Sequence, residues 1–214
     1  MKFTKWTNKY IPLSEDNSII FNIDDKNANL QPLIDDFSKF EQIYVELGSG
    51  SGMHLVELAS QNPKVLVIGI EKRFKRAVKT AQKAQKRDLI NLKVLRGQAE
   101  DLADIFLNQK INGIFINFPD PWDKAKWKKH RMINENSLKD FEKLLTADGF
   151  ISHKTDHDNA FKDALELISK SNFKIKNQSF DLLNSEYADS NIATEFEMLF
   201  KSQDKNINYV LLTK

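Results

Sequence analysis

The stretch NFPDPWDKAKWKKHR, Asn117 to Arg131, sets one acid, Asp120, between two prolines and follows it with Lys124, Lys126, Lys128, Lys129 and Arg131. Proline fixes φ, so the carboxylate sits on a stiff turn. The cations that follow form an electrostatic footprint for phosphates. Trp122 and Trp127 are interleaved with them and either stack on bases or anchor the loop in apolar contacts.

A second chemical pattern lies upstream. The chain has seven glycines, and Gly48, Gly50 and Gly52 alternate directly after the apolar run IYVEL. Glycine tolerates positive φ and lets a ligand approach the backbone, while the helix that follows offers free N–H groups. The spacing departs from the dinucleotide fingerprint, whose third glycine falls three positions after the second. Glu46, two residues before Gly48, repels a pyrophosphate and suits a cation. Glu71 follows the run KVLVIGI, where an acid can accept both hydroxyls of a ribose; its other reading is a solvated acid at a helix start. An adenosine with no phosphate and an ammonium group fits this set, and S-adenosylmethionine is the candidate.

These residues need elements to hold them. IYVEL reads as a strand, GSGSG as a turn, and MHLVELASQ as a helix with Leu55, Leu58 and Ala59 on one side. KVLVIGI is a buried strand, a long helix runs from about Arg73 to Arg87, and NLKVLRG is a third strand. A short helix near Ala99 to Phe106, the strand INGIFINF, a helix opening at Ser137 with Asp140 in capping-box spacing and ending at Gly149, the strand FISHK, a helix around Ala160 to Ile168 and the strand NYVLLTK follow. This alternation predicts an α/β fold, a mostly parallel doubly wound sheet with helices on both faces. Residues 1–40 read as a polar, irregular N-terminal extension packing on a single domain of residues 41–214, a size that suits one domain.

Lys and Arg total 32 against 30 for Asp and Glu, a formal net charge of +2, so any polyanion preference must come from distribution. From Lys72 to Arg87 there are eight basic residues and no acid. Lys72, Arg76, Lys79, Lys83 and Lys86 share one helical face, opposite Phe74, Val78 and Ala81. The absence of cysteine excludes disulfides, thiolate metal sites and a cysteine nucleophile and fits a reducing compartment. His54, His130, His153 and His157 lack metal-ligand spacing. With no apolar leader and no run of apolar residues long enough to span a bilayer, the expectation is a cytoplasmic protein without membrane or metal partners.

On FPDPWDKAKWKKHR, VELGSGSG, GIE, KTD after Gly149 and TEFE near the C-terminus, the sequence resembles the bacterial tRNA (guanine-N7-)-methyltransferase family, whose signature is similar to FPDPWPKKRHHKRRL. Trp127 and Lys128 stand where that signature has a histidine pair, His130 where it has arginine, and Asp123 where it has proline. The resemblance implies a Rossmann-like class I methyltransferase, a monomer or homodimer, that uses S-adenosylmethionine to form 7-methylguanosine at position 46 of the tRNA variable loop. It further implies that Glu46, Gly48, Gly50, Gly52, Glu71, Gln98, Ala99 and Asp120 line the cofactor, with Asp120 also at the reaction centre. Lys124, Asp156, Thr194, Glu195, Phe196 and Glu197 then face the substrate, Thr194 and Glu197 lying in a strand and its approach. Lys126, Trp127, Lys128, Lys129, His130 and Arg131 touch RNA. The competing readings are a methyltransferase for exocyclic amines, whose motif after the fourth strand is similar to NFPDPW, and a non-catalytic RNA-binding protein on the same fold.

Overall fold

A computed structural model describes residues 8–99, 102–106, 109–203 and 205–214. The first structural cause is the set of apolar runs: Val65–Ile70 (β3) is buried at every position, as a central parallel strand must be. It lies beside Gln42–Leu47 (β2) and Leu92–Arg96 (β4), and β2 continues onto Ile111–Asn117 (β5), which pairs with Leu145–Thr155 (β6), all parallel. Asn208–Thr213 (β8) joins β6 antiparallel, and Lys174–Ser179 (β7) closes that edge, also antiparallel. With Ile20–Asn22 (β1) parallel to β4, the eight-stranded order is β1-β4-β3-β2-β5-β6-β8-β7.

The chain moves outward from β2 to β3 and β4, then returns to β5 and proceeds the other way. The crevice between the carboxyl ends of β2 and β5 is therefore the topological switch point, where open α/β sheets bind ligands. Helices Tyr10–Glu15 (α1), Met53–Gln61 (α3) and Phe74–Lys86 (α4) cover one face; Gln31–Phe37 (α2), Leu102–Ile105 (α5), Glu135–Leu144 (α6) and Asp158–Ser169 (α7) supply the other. The core splits accordingly. Leu55, Leu58, Val67, Val78 and Ala81 pack on the first face, and Leu33, Ile68, Phe106, Phe141 and Phe161 on the second. Among the described residues no helix is long and apolar enough to cross a membrane.

Several local expectations are corrected. Residues before position 41 contain α1, β1 and α2, and β1 extends the sheet. Helix α6 starts at Glu135 rather than Ser137, because Asn134 is its N-cap and Ser137 completes the capping box by accepting from Asn134 N–H at 2.9 Å. That helix ends at Leu144, and Gly149 lies inside β6. Thr194 to Glu197 are not strand. They open the helix Glu195–Lys201 (α8), capped by Thr194.

Candidate active site

Four loops meet above the switch point. After β2, Gly48, Gly50 and Gly52 have φ of 72°, 58° and 76°, a region that side chains with a Cβ rarely adopt. Gly48 N–H and Ser49 N–H both donate to Ile70 O at 2.9 and 3.0 Å, tacking the loop to the end of β3. Gly50 N–H donates to Glu71 Oε2 at 3.0 Å, and Arg73 N–H to Glu71 Oε1 at 2.7 Å. A carboxylate has about four acceptor positions, so Glu71 braces the loop and retains capacity for a ligand. Helix α4 supports the loop from outside: Thr80 Oγ1 donates to Gly50 O at 3.3 Å and Lys83 Nζ to Ser51 O at 2.8 Å.

The turn after β5 is stiffer than its prolines alone require. Phe118 and Trp122 have φ of 51° and 44°. For bulky residues such backbone costs on the order of 1–3 kcal/mol each and persists only where the surroundings impose it. They do so here: Phe118 N–H donates to Lys154 O at 2.8 Å, and Arg131 Nε donates to Pro121 O at 2.7 Å. Asp120 stands exposed at the tip, between the two left-handed residues.

A cavity of about 390 Å³ joins these parts, lined by Gly48, Ile70, Glu71, Gln98, Ala99 and Asp120 among others, with Trp122 and His130 at the basic side. Glu46 lies behind the wall, buried, with His54 Nδ1 3.1 Å from its Oε2 and Asn117 Nδ2 donating to its Oε1 at 2.9 Å. Gly50 and Gly52 do not line the cavity; they shape the turn beneath it. The structure thus gathers Gly48, Glu71, Gln98, Ala99, Asp120 and His130 from four separate loops.

The basic loop is a 3₁₀ turn over Ala125–His130. Trp122 packs against Trp127 (centroids 5.9 Å) and His130 (5.6 Å), while Lys124 and Lys126 ammoniums lie 4.9 and 5.2 Å from the Trp127 ring centre. Lys128 and Arg131 both pair with Asp163 at 2.6 Å, and these cations hold its carboxyl below the usual range despite partial burial. Lys124, Lys126 and Lys129 form no ion pair among the described residues.

The site residues expected from the C-terminal third do not line that cavity. Asp156 is half-buried and pairs with Lys205; it is not the cap of α7, a place taken by His157. Thr194 Oγ1 accepts from Glu197 N–H at 3.0 Å and Thr194 N–H donates to Glu197 Oε1 at 3.2 Å. Glu195 and Phe196 are exposed, Glu195 reaching Lys83 at 3.2 Å. Glu197 points inward, 2% exposed, and its Oε1 accepts from Lys154 Nζ at 2.6 Å. Burial pushes the Lys154 ammonium down in pKa, opposed by the charges of Glu197 and Glu46. Sequence reasoning missed Lys154, His54 and Asn117. The partners of Lys154 and Asn117 lie 43 and 71 residues away, and the pairing of His54 with Glu46 depends on how the glycine turn folds back.

No group of three or more His, Asp or Glu among the described residues is arranged to hold a metal ion.

Residues 41–210 match a family described as "Putative methyltransferase". A bifunctional glycosyltransferase/methyltransferase of Fusobacterium nucleatum is 44% identical over 180 residues, covering 83% of this chain; the chain spans 28% of the length of that protein. A tRNA (guanine-N(7)-)-methyltransferase of Lachnoclostridium phytofermentans is 35% identical, with 80% of each chain covered. One from Mycoplasmopsis agalactiae is 32% identical, covering 96% of this chain and 98% of that one. The solved 16S rRNA methyltransferase KamB superimposes with a TM-score of 0.65 at 16% identity over 87% of this chain and 94% of that one, a likeness of fold.

Proposed function

We propose, because the chain belongs to this methyltransferase family and to the sequence group of the tRNA (guanine-N(7)-)-methyltransferases, that it methylates N7 of a guanosine in the variable loop of tRNA. The methyl donor of this reading is S-adenosylmethionine. The residues present fit it: a Cβ added at Gly48, which lines the cavity, meets nothing within 4 Å, so a ligand can approach the backbone there. Glu71 has acceptor capacity for ribose hydroxyls, Gln98 and Ala99 would hold the adenine, and Glu46, buried and off the cavity, would act on a cationic ligand by its charge rather than by contact. The observation that carries the reading is one cavity shared by Gly48, Glu71 and Asp120 and bordered by the basic loop.

When bound, S-adenosylmethionine supplies a methyl group activated by its sulfonium. Guanine N7 has an exposed lone pair, so the chain's residues need not remove a proton; their task is alignment and charge. Asp120, on its braced turn, accepts from guanine N–H groups at fixed geometry and offsets the charge of the methylated base. Asp156 and the Thr194–Glu197 segment, by family resemblance, form the opposite wall of the guanine site. Lys124, Lys126 and Lys129 hold phosphates, Trp127 offers a ring to a neighbouring base, and Lys128, His130 and Arg131 shape the loop.

Calorimetry with S-adenosylhomocysteine tests the donor site, and transfer of labelled methyl to unmodified tRNA tests the activity. RNA binding that is indifferent to the donor, with no transfer, overturns this reading in favour of a binding protein.

A further inference from the structure

Helix α8 is an odd element energetically. Its apolar residues Phe196, Met198 and Leu199 are about half exposed, and its one buried side chain is a carboxylate, Glu197. A helix of seven residues gains little from propensity and is normally seated by an apolar face. Here Phe196 and Phe200 meet the Phe118 ring, with centroids 5.9 and 5.6 Å apart, but the one fully buried contact is ionic. Lys154, on β6 and 2% exposed, donates to Glu197 Oε1 at 2.6 Å, Asn191 Oδ1 at 2.9 Å and Ile192 O at 3.0 Å. Asn191 Nδ2 donates to Glu197 Oε2 at 2.6 Å and closes the set.

Lys154 is also in register with Asn117, the residue that holds Glu46, and lies one position before Thr155 and two before Asp156. A buried ion pair is a poor device for stability alone, since desolvating both charges offsets their attraction and an apolar pair often serves as well. It does fix geometry. We propose that Lys154 is a positioning residue of the acceptor side: its buried ammonium, through Glu197 and Asn191, holds the start of α8 against the strand edge that carries Asp120 and Asp156. This inference rests on the guanine-site reading given above. The ammonium touches no reacting atom and acts through the segment it seats.

The test is Lys154→Met in the full chain, with three readouts: hydrogen exchange over residues 195–201, affinity for S-adenosylhomocysteine, and kcat/KM on tRNA. The expected result is faster exchange in α8, kcat/KM lower by at least about 30-fold, and donor affinity within about 3-fold of wild type. Val210→Ala, a core truncation on β8, controls for lost stability and is expected to keep kcat/KM when assayed below its melting temperature. If Lys154→Met does not fold, Asn191→Ala loosens the same pair from its loop side and is expected to give the same pattern at smaller size. Unchanged exchange in α8, or unchanged kcat/KM in a variant that folds, overturns the inference. Exchange needs no turnover, so failure of the methylation reading itself, seen as no transfer by wild type, is told apart from failure of this one.

Discussion

Asp120 is the one carboxylate that the turn after β5 presents to the cavity. The turn stores backbone strain at Phe118 and Trp122 to do so. Asp120→Ala, with the donor saturating, is expected to lower turnover on tRNA by about 10²- to 10³-fold, the usual effect of removing a charge-stabilising group. Normal turnover in that variant contradicts the role. The glycines make a sharper local test. Gly50 and Gly52 both have positive φ, but a Cβ at Gly50 meets open space, whereas at Gly52 it lies 2.5 Å from Thr80 Cγ2. Gly50→Ala is expected to cost about 1–2 kcal/mol of stability from conformation alone, and Gly52→Ala clearly more, measured by denaturant unfolding. Equal losses contradict the steric account. The glycine loop and Asp120 were legible in the sequence because both are contiguous motifs. Lys154 was not, because a lysine in a strand looks solvent-directed until its partner, Glu197, is brought from another part of the chain.

Elements were legible where apolar periodicity was strong. β3 and α4 came out within a residue or two of expectation. β7 did not, since KIKNQS is an edge strand whose polar residues face water and leave no apolar alternation. Thr194 carried an overlooked signal: Thr194-x-x-Glu197 is capping-box spacing, as is Asn134-x-x-Ser137, and both open helices. The strand propensity of threonine and phenylalanine obscured the first. An element-scale prediction concerns β6. His153 is buried in it, with its Nδ1 3.0 Å from Ile116 O, and burial pushes its pKa down to about 4. The unfolded chain protonates near 6.5, so as pH falls from there to 4 the unfolded state binds the proton first and the folded state loses stability. Relative to His153→Gln, wild type is expected to lose about 3 kcal/mol between pH 7 and pH 4, read by urea unfolding. No convergence of the two curves contradicts the buried neutral imidazole.

At the scale of the whole molecule, a nearly balanced charge hides an uneven surface. Lys124, Lys126 and Lys129 stand without ion-pair partners among the described residues, and α4 exposes Lys75, Lys79 and Lys86. Replacing Lys124, Lys126 and Lys129 together by glutamine is expected to flatten the slope of log binding constant against log salt by about 2. Affinity for S-adenosylhomocysteine stays unchanged. The fold class was legible from alternation, and the switch point followed once strand order was known. The reach of the basic loop around the cavity was not, because it depends on the turn of Phe118 to Trp122. The central claim is methyl transfer to guanine N7 in tRNA, and its most direct measurement is chemical. An unmodified tRNA transcript is incubated with protein and S-adenosylmethionine, then treated with borohydride and aniline, which cleave at 7-methylguanosine. A cut in the variable loop that disappears when its guanosine is replaced by adenosine is expected; methyl incorporation without that cut contradicts transfer to N7.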